Sequence, residues 1–183
     1  MNKDVKEILY SDEQIKARVA EMGARLTEQY RPAVERGERI VLLCVLRGAA
    51  IFMADLARAI DLPLEMDYMA VSSYGAAAKS SGVVKIQKDL SSDIVGKHVI
   101  IAEDILDSGL TLKFLIENLK TRKPASISVV TFLRKEVPNQ ADIDCFDIGF
   151  TCPNEFVVGY GLDYAEHYRN LSYVGILKPE VYS

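Results

Sequence analysis

Apolar positions along the chain follow two rhythms, one helical and one strand-like. Ser11 with Gln14 three residues on has the form of a helix-start capping box, and Ile15, Val19, Met22 and Leu26 then recur at helical spacing. The chain is therefore expected to open with an amphipathic helix. The continuous apolar run from Ile40 to Leu46 is short enough to be a buried strand. A turn at Arg47-Gly48 leads into a second amphipathic helix over about residues 50–60. Leu64, Met66 and Tyr68 alternate with Glu65 and Asp67, which predicts a strand with one wet face.

From residue 72 to 82 the sequence turns small and polar (SSYGAAAKSSG), without apolar anchors, and reads as a mobile loop. Residues 83–87 can form a return strand, giving a long hairpin-like flap. Residues 98–102 form another buried-strand candidate, followed by a loop and a helix carrying Leu112, Leu115, Ile116 and Leu119. Further strands are expected at 126–133, 148–150, 156–160 and 173–177. Strands alternating with helices, with no repeat or linker, indicate a single α/β domain over residues 1–183, built on a mostly parallel sheet flanked by helices. In such sheets ligands sit beyond the carboxyl ends of the strands, which points to the loops after Val45, Ala102 and Leu133.

Composition narrows the function classes. With 49% apolar and 26% charged residues the chain is ordinary for a globular domain. A formal charge of −4 and a pI near 5.3 disfavour duplex nucleic acid as the main partner, though local donors can still hold a small anion. Cys44, Cys145 and Cys152 form no metal-type pair, and their odd number leaves one outside any disulfide scheme. Cys44 lies in an apolar run and reads as core. With no secretory signal pattern and no apolar run of membrane-spanning length, a reduced cytoplasmic location is expected.

The chemistry concentrates in one stretch, HVIIAEDILDSGLT, residues 98–111. A buried strand ends in Glu103 and Asp104, and Asp107-Ser108-Gly109-Leu110-Thr111 opens a helix. Backbone N–H groups at that helix start, with the Ser108 and Thr111 hydroxyls, can hold a phosphate, and Gly109 lets backbone approach it closely. The carboxylates can accept from ribose hydroxyls or bind Mg²⁺ directly or through water. Adjacent strand residues face opposite ways, so either the strand ends before this pair or only one of the two acids points inward. The GxGxxG and GxxxxGK[ST] patterns of dinucleotide and nucleoside-triphosphate sites are absent.

Residues 99–111 resemble the phosphoribosyl-pyrophosphate motif of the type I phosphoribosyltransferases. Leu46-Arg47-Gly48, Ser73-Tyr74-Gly75, Lys135 and the segment FVVGYGLD at 156–163, through Arg169, look like the hypoxanthine-guanine branch of that family. The resemblance covers roughly residues 40–180, in the family's order. It implies transfer of a 5-phosphoribosyl group to a 6-oxopurine with Mg²⁺ as cofactor. It also implies small-molecule substrates, a homodimer or homotetramer, a hairpin lid at about 72–83, and a small purine-binding hood built from the C-terminal part and N-terminal residues.

By the same resemblance, Asp107 is the general base. Glu103, Asp104, Asp107, Ser108, Gly109, Leu110 and Thr111 hold the phosphoribosyl group. Leu46, Arg47, Gly48 and Arg169 hold pyrophosphate, with a non-proline cis peptide often preceding the basic residue of that loop. Lys135 donates to the purine 6-oxo group, and Phe156, Val157 and Asp163 complete the purine site. Glu103, Asp104 and Asp163 associate with the metal, and Ser73 and Tyr74 belong to the lid. Singly, each has an ordinary reading: Asp107 a helix-start acid, Arg47 and Lys135 solvated strand-end charges, Phe156 a core ring, Arg169 one half of an ion pair. Two other readings stand beside this one, a xanthine-preferring transferase and a nucleic-acid-binding regulator with the same fold.

Overall fold

The structure is a computed structural model describing residues 3–73 and 84–182. It opens with strand β1 (Val5–Tyr10), not with the expected helix. Nothing in VKEILY itself dictates this; the strand exists because it pairs with a distant C-terminal segment. Helix α1 (Asp12–Glu35) follows, with Ser11 as its cap. The Ser11 hydroxyl accepts the Gln14 N–H at 3.3 Å while the Gln14 side chain accepts the Ser11 N–H at 2.9 Å, satisfying two N–H groups reciprocally. Ile15, Val19, Met22 and Leu26 all turn inward.

Strand β2 (Ile40–Leu46) leads through helix α2 (Ala50–Ala59) to β3 (Glu65–Ser73), which pairs with β4 (Val84–Lys88). Next come β5 (His98–Leu106), helix α3 (Leu110–Lys120), β6 (Ser126–Lys135) and β7 (Asp147–Cys152). These six strands form one sheet, ordered β4-β3-β2-β5-β6-β7, parallel throughout except for the β3–β4 pair. The unbroken apolar run of β2 follows from cover on both sides. Ile40, Leu42 and Cys44 pack with α1 and α2, whereas Val41, Leu43 and Val45 pack with Leu112, Leu115 and Leu119 of α3. The chain leaves β2 toward β3 on one side and returns through β5 on the other, so strand order reverses between β2 and β5. That crevice is where this architecture places ligands.

A second, three-stranded antiparallel sheet joins β1 to β8 (Val157–Val158) and β9 (Val174–Leu177), in the order β1-β9-β8. The short helix α4 (Pro179–Tyr182) follows. Val5, Val158 and Leu177 form its own small core, with Phe156, Tyr164, Tyr168 and Tyr182 packed around them.

Strand β3 corrects the expectation of acids on a wet face. Asp67 is buried and Met66 is exposed. The Asp67 carboxylate accepts N–H groups from Tyr68 and Ser91 at 2.8 Å and from Ser92 at 3.3 Å. Burial alone would raise its pKa, but these N–H bonds outweigh it and hold the carboxyl below its ordinary value. The Ser91 and Ser92 donors come from a loop more than twenty residues away, which strand alternation does not register.

The helices α1 and α2 meet at Gly23. A Cβ there would stand 2.5 Å from the Ala59 Cβ and 2.6 Å from its backbone. Alanine favours an isolated helix over glycine by about 1 kcal/mol, yet overpacking costs about 1–3 kcal/mol. Gly23→Ala is therefore expected to lower the urea midpoint of unfolding. A midpoint raised by the substitution would mean that the contact yields more easily than its backbone atoms imply.

Candidate active site

Strand β5 continues through Leu106, past both acids, so the strand does not end before Glu103 and Asp104. Nor is one of them turned out to water, since both are half-buried. Glu103 pairs in register with Thr131 of β6, and its Oε2 is shut off from solvent with no hydrogen-bond partner among the described residues. Burial, reinforced by the charge of Asp104, pushes the Glu103 carboxyl well up. Burial also raises Asp104, and the N–H groups of Ile105 and Asp104 and the cation of Arg169 only partly counter it. Burial, reinforced by the charges of Asp104 and Glu103, raises the Cys44 thiol to about 12, which keeps it a protonated core residue.

The turn after β2 is shaped around Asp104. The Leu46–Arg47 peptide is cis. A Cβ on Gly48 would fall 1.5 Å from Asp104 Oδ2, so only glycine leaves room for that carboxylate. Gly161 then backs onto Gly48, where a Cβ would come within 2.0 Å of the Gly48 carbonyl oxygen. Its φ of +103° also lies where L side chains are rare. Arg169 closes this corner: Nη1 donates to the Gly161 carbonyl at 2.8 Å, and Nη2 lies 3.0 Å from Asp163. Arg169 Nε is buried and makes no hydrogen bond among the described residues.

At the other side of β5, Lys135 ends β6 with its Nζ 4.0 Å from Asp107 Oδ2. Helix α3 starts at Gly109, in the left-handed conformation at φ 76°, and no side chain caps it. The Ser108 hydroxyl stands a long 3.5 Å from the Leu110 N–H. The first turn of α3 thus keeps donors for an anion. Gly109 has a further reason to be glycine: besides its φ, a Cβ would press on Ala141 and Ile143 at 3.1 Å. Leu110 is exposed and Thr111 half-buried at the helix start.

Phe156 and Val157 belong to the small sheet. The Phe156 ring stacks on Tyr182 at 5.0 Å and meets Tyr164 edge-on at 5.5 Å. Ser73 ends β3 opposite Val84, while Tyr74 and the rest of the expected lid, 74–83, lie outside the described residues. Tyr160 and Tyr164 are packing residues, and the Tyr160 hydroxyl also donates to Asp55 at 2.7 Å. His98 serves structure at the far end of β5, bridging Glu38 and Ser126 at 2.7 Å each.

Two participants carry no sequence signal. The Gln140 side-chain amide lies 3.0, 2.6 and 3.1 Å from the carbonyl oxygens of Leu106, Asp107 and Lys135, tying the ends of β5 and β6 together. Glu166 stands between Arg47 and Arg169, with contacts at 2.8 and 3.4 Å. Each is one polar residue in an irregular segment, where periodicity says nothing.

Comparison with known proteins matches this geometry to a family. The model of the phosphoribosyl transferase domain covers residues 7–165. The chain belongs to the phosphoribosyltransferase family. A hypoxanthine-guanine phosphoribosyltransferase of Mycobacterium avium is 54% identical over 180 residues, 98% of this chain and 89% of that one. Its counterpart in Bacillus subtilis (strain 168) is 50% identical over 182 residues, 100% of this chain and 98% of the other. The crystal structure of a hypoxanthine phosphoribosyltransferase from Staphylococcus aureus superposes with a TM-score of 0.91 at 49% identity, covering 98% and 95% of the two chains.

A phosphoribosyltransferase with this acidic pair should be less stable for carrying it. A carboxyl whose folded-state pKa exceeds its unfolded value opposes folding once ionised, so the penalty grows as pH rises past the unfolded value of about 4. Without divalent cations, Glu103→Gln is expected to raise Tm by about 2–4 °C near pH 8 and to change it little near pH 4. Thermal melts across that range test this; a lower Tm near pH 8 would show that the Glu103 carboxylate stabilises the empty protein.

Proposed function

We propose that this phosphoribosyltransferase joins hypoxanthine or guanine to phosphoribosyl pyrophosphate, giving the purine nucleotide and pyrophosphate. The observation that carries the reading is the approach of Lys135 Nζ to within 4.0 Å of Asp107 Oδ2. A 6-oxopurine presents O6 and N7 side by side on one edge. An ammonium and a carboxylate this close match that edge, the first donating to O6 and the second accepting the proton on N7. As the purine N9 bonds to the ribose C1′, the bond from C1′ to pyrophosphate breaks. Positive charge then builds on the base, and Asp107 takes the proton. The extensive likeness to enzymes named for hypoxanthine and guanine supports the choice of base.

The remaining roles follow the resemblance. The uncapped start of α3, Ser108 through Thr111, receives the 5′-phosphate, and the carboxylates of Glu103 and Asp104 accept from the ribose hydroxyls. Leu46, Arg47 and Gly48 receive the pyrophosphate from one side and Arg169 from the other. Phe156 and Val157 form one wall of the purine site in the small sheet, which acts as the hood. By the resemblance Ser73 and Tyr74 belong to the lid, whose residues 74–83 lie outside the described residues.

The donors present fit Mg²⁺, which takes oxygen ligands, keeps several waters and is commonly held by one or two carboxylates with substrate phosphates. Glu103 has a buried unpaired oxygen, and both it and Asp104 resist ionisation in the absence of a cation. Among the described residues no three acidic, histidine or cysteine side chains form a metal cage by themselves. Glu103, Asp104 and Asp163 would therefore hold the ion together with pyrophosphate and water. Bound there, Mg²⁺ supplies charge neutralisation for the departing pyrophosphate. On the same reading the enzyme works in the cytoplasm as a homodimer or homotetramer; among the described residues no helix is long and apolar enough to cross a membrane.

Two experiments test the assignment. Asp107→Asn should still bind nucleotide while turnover falls by about 10²–10⁴, the usual span for losing a general base. Near-normal turnover in that variant would remove Asp107 from the proton transfer. Base choice is the second test. An ammonium has donors only, so it satisfies a 6-oxo group but opposes the 6-amino group of adenine. Nucleotide formation measured with each base should give hypoxanthine a kcat/KM roughly 10⁴-fold above adenine, with Lys135→Ala narrowing the gap. Comparable use of the two bases by the unaltered enzyme would contradict the role given to Lys135.

A further inference from the structure

Both arginines assigned to pyrophosphate already hold an anion, and it belongs to the chain. Glu166 Oε2 lies 2.8 Å from Arg47 Nη1, and both Glu166 carboxylate oxygens lie 3.4 Å from Arg169 Nη2. The two cations come from segments more than a hundred residues apart, the turn after β2 and the connection between β8 and β9. One carboxylate spans them.

The surroundings of Glu166 indicate a placed group. It sits in a tight turn closed by the Tyr164–His167 bridge, with positive φ at both Ala165 and Glu166, 49° and 65°. Asparagine, aspartate or glycine usually fills such turns. The Glu166 N–H donates to Asp163 Oδ2 at 2.9 Å, fixing the turn to the residue that also pairs with Arg169. Even so, Arg169 remains incompletely satisfied, because its buried Nε has no acceptor among the described residues. A single carboxylate has two oxygens and one charge; a diphosphate offers more of both, so it can match the arginine pair better than Glu166 does.

We infer that Glu166 is an internal placeholder for pyrophosphate, occupying Arg47 and Arg169 in the free enzyme and displaced when the diphosphate of the substrate enters. This rests on the reading in which those two arginines receive pyrophosphate. The placeholder keeps two cations from repelling each other in an empty site, and it opposes retention of pyrophosphate after transfer. Arg47 and Glu166 are both well exposed, with side-chain accessibilities of 71% and 62%. Exposed ion pairs are weak, so the competition is modest and the exchange easy.

The test is calorimetric titration of magnesium pyrophosphate into the full-length protein, its Glu166→Gln variant and its Arg47→Ala variant, with steady-state kinetics alongside. Glu166→Gln keeps the shape of the side chain and removes its charge. It should tighten pyrophosphate binding by about two- to fivefold and lower the KM for phosphoribosyl pyrophosphate similarly, leaving the KM for hypoxanthine unchanged. The gain should shrink when Arg47→Ala is added. If Glu166 instead holds the arginines in their productive positions, Glu166→Gln will weaken pyrophosphate binding; that result, or unchanged binding, overturns the inference while Arg47→Ala still weakens it. If Arg47→Ala binds pyrophosphate as tightly as the parent protein, the assignment of the arginines fails and the inference falls with it.

Discussion

Two adjacent carboxylates half-buried at the end of a parallel strand are the constraint around which this site is built. Glu103 and Asp104 cannot both ionise comfortably there, because burial and mutual repulsion act in the same direction. Their neighbours answer that problem sterically and electrostatically. Gly48 has no side chain because Asp104 occupies the space one would need, and Gly161 has none because Gly48 backs onto it. Arg169 supplies a nearby cation, held in place by the Gly161 carbonyl. A corner of the molecule drawn from β2, β5 and the β8–β9 connection is thus fixed by one strand end.

The sequence is most legible where local pattern and burial agree. Ser11 and Gln14 cap α1 as their spacing requires, and the apolar run of β2 is unbroken because helices cover both of its faces. The site motif is readable for a related reason, since acids following an apolar run and small polar residues opening a helix are compressed into fourteen positions. What escaped depends on distant partners. Strand β1 exists by pairing with β9 across the length of the chain, and α4 is too short to show a helical period. Asp67 is buried because a remote loop supplies N–H donors, so alternation assigned it to the wrong face. Gln140 and Glu166 are single side chains whose meaning lies wholly in what they touch.

Lys135 and Asp107 show how the larger sheet sets chemistry by register. Residues 106 and 134 pair directly between β5 and β6, so each strand delivers its next residue to the same edge. Gln140 then binds carbonyl oxygens from both strand ends, which keeps them from parting. On the proposed reading, the geometry of an acid and a cation addressing neighbouring purine atoms is an extension of the ladder, and general base catalysis depends on that kind of positional control.

The charges of the site make sense only with its substrate counted. Among the described residues Glu103 keeps an unpaired buried oxygen, and Arg169 an unpaired buried nitrogen. Orphans of opposite sign would be expected to pair, since each costs free energy alone. They do not: the Arg169 guanidinium is committed through Nη1 to the Gly161 carbonyl and through Nη2 to Asp163. On the proposed reading, a divalent cation with a diphosphate would present both signs at once, the metal toward the carboxylates and the phosphate oxygens toward the arginines. Self-neutralisation of the empty site would have left such a ligand to compete with a complete internal ion pair. Instead Arg169 pairs with Asp163, and the exposed contact of Glu166 links it to Arg47.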